Sequence, residues 1–119
     1  MAHKNKPTIQ EILNSLDNYP IKEPLKSNVI NATQNLWNLL NKTCDKTDWD
    51  WAEDESIIMR GSKNKLEVEI EIFYNDPEDE KLQEIVLAYY DSNDLKYAMS
   101  GDENHIAKQI KELLKNPLT

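Results

Sequence analysis

The sequence predicts an α+β protein: two N-terminal helices, a four-stranded antiparallel meander and a C-terminal helix, with the helices packed on one face of the sheet. Three observations carry that expectation. The segment Leu66-Glu67-Val68-Glu69-Ile70-Glu71-Ile72 alternates apolar and acidic residues at period two, which puts one kind of side chain on each face of a strand. Apolar residues recur at three and four in the first forty-odd positions and again after residue 102. Polar turn sequences separate short β-prone runs between residues 56 and 100, and strands joined by short turns pair antiparallel.

Taken in order, Met1 to Lys6 are polar and are expected to form a disordered tail. Thr8 and Glu11 match a capping box at the start of the first helix, which carries Ile9, Ile12, Leu13 and Leu16. Asn18-Tyr19-Pro20 should stop it, because the residue before a proline avoids helical geometry. Pro20 to Pro24 reads as a linker. The second helix is expected from about Pro24 or Ser27 to Lys42, with Leu25, Val29, Ala32, Leu36 and Leu39 or Leu40 as its stripe. Asn28, Asn31, Asn35, Asn38 and Asn41 lie on its other side. Asparagine is a mediocre helix former, so packing must hold this helix.

Asp45 to Glu55 reads as a charged connection containing Trp49 and Trp51. Ser56 to Arg60 is a short strand, and Gly61-Ser62-Lys63-Asn64 its turn into Lys65 to Tyr74. Asn75 to Glu80 is a polar turn in which Pro77 cannot donate to a ladder. Gln83 to Tyr90 is apolar on both faces, as a central strand is. Asp91-Ser92-Asn93-Asp94 turns the chain into Leu95 to Ser100, with Leu95, Tyr97 and Met99 expected on one face. Ser100 or Asp102 caps the last helix. Ile106, Ile110, Leu113 and Leu114 form its stripe, and Lys108, Lys111 and Lys115 suit its negative C-terminal end.

Length and composition bound the function. At 119 residues one domain is expected, and 39% hydrophobic against 30% charged residues fits a folded chain. A single cysteine, Cys44, excludes an internal disulfide and fits a reducing compartment. The polar N-terminus has no apolar core of a secretory signal, and the longest apolar run, Ile85 to Tyr90, is too short for a membrane span. A cytoplasmic location is therefore expected.

The charge is concentrated. Asp45 to Glu84 holds fourteen carboxylates against five bases, a net of −9 in a chain whose total is −8. Such a charge disfavours nucleic acid and anionic membrane and favours a basic protein partner. The candidate partner-binding residues follow. Glu67, Glu69 and Glu71 stand about 7 Å apart on one strand face, with Glu84 adding to the repulsion. Asp48-Trp49-Asp50-Trp51 combines carboxylates with aromatic rings, which receive lysine or arginine by cation–π contact. The plainer readings are a solvated sheet face that resists edge-to-edge aggregation, and tryptophans that cap the core.

Other chemistries are weakly supported. Asp76, Glu78, Asp79 and Glu80 lack the glycine and spacing of a calcium loop. His3, Cys44 and His105 have no zinc spacing, and the two glycines build no phosphate loop. No metal, cofactor or catalytic residue is expected, and the chain is read as a non-enzyme. The leading expectation is a small acidic protein-binding module of inhibitor or immunity type. The alternative is a ligand-binding or accessory domain, often dimeric, that uses the open sheet face.

Overall fold

A computed structural model describes residues 9–16, 23, 25–52, 56–74 and 85–115, apart from the side chains of Ile12 and Ala52. The expected tail, the Thr8 cap, the linker from Pro20 to Pro24 apart from Glu23, the turn at Asn75 to Glu80, Glu84 and Pro117 lie outside these residues. The class is α+β, as expected. The elements are α1 (Ile9–Ser15), α2 (Leu25–Thr43), β1 (Lys46–Ala52), β2 (Ser56–Lys63), β3 (Leu66–Phe73), β4 (Ile85–Asp91), β5 (Asp94–Gly101) and α3 (Glu103–Lys115).

The sheet has five strands in the order β1-β2-β3-β4-β5, all antiparallel, and not the four expected. The additional strand is β1, in the segment read from sequence as a charged connection. Its Asp-Trp-Asp-Trp run has the same period-two alternation as β3. Trp49 pairs across Met59 and Trp51 across Ile57 on the helix-facing side.

Alternation assigns the two faces. On β3, Leu66, Val68, Ile70 and Ile72 are buried while Glu67, Glu69, Glu71 and Phe73 are half-buried on the other side. β4 repeats the pattern, with Ile85, Leu87 and Tyr89 buried. In the middle layer of the core, Trp49, Met59, Ile70, Leu87 and Met99 lie in register across all five strands. The helices cover this face. α2 lies over β1 and β2, α3 lies over β4 and β5, and the two touch each other. Val29, Ala32, Leu36 and Leu40 of α2 and Ile106, Ile110, Leu113 and Leu114 of α3 join the same cluster, as do Leu13 and Leu16 from α1 and its end. The four apolar residues of α3 could supply roughly 6–12 kcal/mol at about 1.5–3 kcal/mol each, comparable with the ~5–15 kcal/mol stability of a small domain.

Local chemistry fixes the ends. Asp102 Oδ1 accepts from the backbone N–H of His105 at 2.9 Å, so Asp102 is the N-cap of α3. The same oxygen lies 2.8 Å from His105 Nδ1. These contacts, the backbone one first, hold the Asp102 carboxyl below its usual range. The β4–β5 turn is Ser92-Asn93, both at positive φ, as a two-residue type I′ turn requires. The β2–β3 turn is Asn64-Lys65, with Asn64 at φ 57°.

Gly61 is therefore not a turn residue. It lies within β2, under the C-terminus of α2, and a Cβ there would stand 2.5 Å from Cys44 Sγ. A second departure is at β5. A register shift between Tyr89 and Tyr90 lets Tyr97 pair with Tyr89 but Leu95 with Tyr90. Leu95 consequently leaves the face of Tyr97 and Met99 and is 58% exposed. One bulged residue, Lys96, reverses the side on which the start of the strand presents its side chains.

Candidate functional site

The face of the sheet opposite the helices brings together most of the residues singled out by charge. Three cross-strand rows define it. Asp50, Ile58, Glu71, Val86 and Ser100 form one row. Asp48, Arg60, Glu69, Ala88 and Ala98 form the next, and Lys46, Ser62, Glu67, Tyr90 and Leu95 the third. Among the described residues no helix packs on this side, and its side chains are half-buried to exposed, save Ser56 at one end.

The acidic half spans β1 to β3 and is organised by one base. Arg60 Nη1 lies 2.7 Å from Asp50 Oδ2 and 3.7 Å from Asp48 Oδ2, while its Nε donates to Glu69 Oε1 at 3.1 Å. Hydrogen bonding to Asp50, then to Glu69, raises the guanidinium pKa against the opposing effect of burial. One of the three alternating glutamates, Glu69, therefore has a basic partner. The partner comes from β2, one strand away, where the register Arg60↔Glu69 brings it alongside. Glu71 is also engaged, since Ser56 Oγ donates to its Oε2 at 2.8 Å. Glu67 takes no ion pair among the described residues. Five carboxylates, Asp48, Asp50, Glu67, Glu69 and Glu71, thus share the face with Arg60 and Lys46, a net formal charge of −3.

The arrangement does two things. Arg60 holds three carboxylates in fixed positions, so they cost less mutual repulsion and less side-chain entropy on meeting a partner. Each of these partly exposed ion pairs itself adds only about 0–1 kcal/mol to stability.

The tryptophans do not belong to this surface. Trp49 is 9% exposed and sits in the core under α2. Trp51 is half-buried on the same face, and its indole N–H donates to Tyr74 Oη at 2.6 Å. Strand alternation forces the separation: if Asp48 and Asp50 face outward, Trp49 and Trp51 face the helices. Glu84 lies outside the described residues.

Sequence reasoning missed two parts of the face. One is Arg60, whose role depends on register. The other is the half built from β4 and β5, where Val86, Ala88, Tyr90, Leu95 and Ala98 make an apolar surface beside the acids. The apolar outward positions of β4 were legible; their adjacency to the acidic half was not.

Elsewhere the chemistry is quiet. Burial pushes the Cys44 thiol above its ordinary pKa, against a weaker lowering by its contact with Thr43 Oγ1 at 3.8 Å, which disfavours a thiolate. Among the described residues no group of histidine, cysteine or carboxylate side chains is arranged to hold a metal ion. None of the described helices is long and apolar enough to cross a membrane. Compared with protein-family models, curated proteins and solved structures, the chain finds no match.

Proposed function

We propose that this protein is a small acidic binding module of inhibitor or immunity type, which docks a basic protein through the open face of its sheet. The observation that carries the reading is the Arg60-centred cluster of carboxylates on β1 to β3, lying in register with the apolar residues of β4 and β5. The acids steer a cationic partner and fix its orientation. Val86, Ala88, Tyr90 and Leu95 supply area that gains by leaving water. The partner surface that fits is a basic patch flanked by an apolar one. The module acts by occupying that surface, with no cofactor and no reaction of its own.

A test is capture of partners from the source lysate at low and high salt, followed by hydrogen-exchange footprinting of the complex. The reading expects salt-sensitive capture of a basic protein and protection of β1 to β4. Protection confined to the helix layer would overturn it.

The second reading, an accessory domain that dimerises through this sheet, is favoured by one observation: Leu95 stands 58% exposed at the start of the edge strand β5. Sedimentation of the parent and Leu95→Glu separates the two. A dimer that the substitution dissolves supports pairing between copies, and a monomer in both leaves the basic-partner reading.

A further inference from the structure

The chain is acidic overall, yet one end of its helix layer is basic. Lys42 from α2, Lys63 from β2, and Lys111 and Lys115 from α3 line a single depression with Thr43 and Leu114. That depression continues into a groove of about 800 Å³ between α2 and α3. Lys42, Thr43 and Lys111 belong to both. The groove floor is apolar, formed by Leu36, Leu39 and Ala107, and its rim carries Asn35, Asn38 and Asn41.

Helix-end electrostatics accounts for part of the cluster. Lys42 and Lys115 sit in the last turns of their helices, where the dipole favours cations. It does not account for Lys63, at the end of a strand, or for Lys111, which precedes the last turn of α3. The groove is also polarised along its length. At the end remote from the lysines, Asn35 Nδ2 donates to Glu103 Oε2 at 2.9 Å, placing a carboxylate there. From Glu103 to Lys115 is about 18 Å at ~1.5 Å per residue, the length of a short peptide.

We infer that the α2–α3 groove is a second docking site, of opposite sign to the sheet face, for an acidic peptide segment bearing apolar side chains. Charge complementarity selects the occupant. Four lysines attract carboxylates at one end, and Glu103 repels them at the other, so the acidic end of the peptide lies towards Lys111. The apolar floor takes leucine-like side chains. The Asn38 side chain makes no hydrogen bond among the described residues and offers its amide to the peptide backbone. The groove is open along its length, so a small molecule would keep much of its surface wet, whereas a peptide continues across it. This inference stands apart from the proposed use of the sheet face, since it concerns the opposite layer.

The test uses the full chain and a blocked synthetic peptide of glutamate and leucine at helical spacing. Comparison probes are the same peptide with Gln for Glu, an all-glutamate peptide, and decanoate. Binding is read by fluorescence anisotropy at low ionic strength and by amide chemical shifts. The Glu/Leu peptide is expected to bind, with shifts concentrated at Asn38, Leu39, Ala107 and Lys111. Lys42→Glu with Lys111→Glu should weaken it about tenfold or more while leaving the remaining spectrum in place. Ala107→Leu, which fills the groove without touching its charge, should also weaken it. The inference is overturned by no binding, by equal binding of the Gln or all-glutamate peptide, by binding of decanoate alone, or by undiminished binding to the charge-reversed chain.

Discussion

Substituting Gly61 by alanine tests how closely α2 approaches the sheet. The φ of Gly61 is not positive, so alanine suits its backbone; the obstacle is space. The new Cβ would meet Cys44 Sγ at 2.5 Å, Leu40 Cδ2 at 3.1 Å and Cys44 Cβ at 3.2 Å. Overpacking of this kind costs about 1–3 kcal/mol, set against ~0.5–1 kcal/mol gained by replacing glycine in a strand. A net loss of about 1–2 kcal/mol is expected for Gly61→Ala, or roughly 4–8 °C in Tm. Cys44→Ala removes the closest atom and leaves only the two contacts above 3 Å. In that background the second substitution should be close to neutral, so the double-mutant cycle should show a coupling of about 1–2 kcal/mol. Thermal and urea denaturation of the four proteins measure it. Equal costs of Gly61→Ala in both backgrounds would refute the claim that the sulfur sets the spacing between helix and sheet.

Three further outcomes are expected. Ile70 is 0% exposed on the middle strand, so Ile70→Asp should lose several kcal/mol in denaturant titration, while Glu67→Gln on the opposite face should change stability by less than about 0.5 kcal/mol. Thr33 Oγ1 is buried without a hydrogen-bond partner among the described residues, so Thr33→Val should raise stability by about 1 kcal/mol; a loss would mean that the hydroxyl is satisfied. The Asp102 carboxyl is held below its usual pKa, so its contribution is present above the unfolded value of about 3.9 and is lost as pH falls through the folded one. The stability difference between the parent and Asp102→Asn should therefore shrink in acid below about pH 4, and one that grows there would reverse the sign of the argument.

Much of the fold was legible because its signals are local. The alternation from Leu66 to Ile72 and the stripe Ile106, Ile110, Leu113 and Leu114 each name a buried face from neighbours in sequence, and the structure buries all of them. β1 escaped because aspartate is a poor strand former, and its two inward residues are held by Met59 and Ile57 across the hairpin. Leu95 escaped because a bulge is decided by pairing with β4, which no local pattern records. The candidate site divides the same way. The acids were visible as composition; the Arg60 contacts that arrange them depend on a register between strands. The groove between α2 and α3 required the packing of two helices sixty residues apart in sequence.

The most direct test of the acidic docking surface is the association rate of the captured basic partner with the parent and with Glu67→Lys, at low and high ionic strength. This position is suited to reversal because Glu67 takes no ion pair among the described residues, whereas Asp48, Asp50 and Glu69 are arranged around Arg60 and Glu71 holds Ser56. The account predicts a slower association for the variant at low salt, a difference that shrinks at high salt, and an unchanged melting curve. Equal association rates at low salt would contradict it and leave the carboxylates as a solvated face.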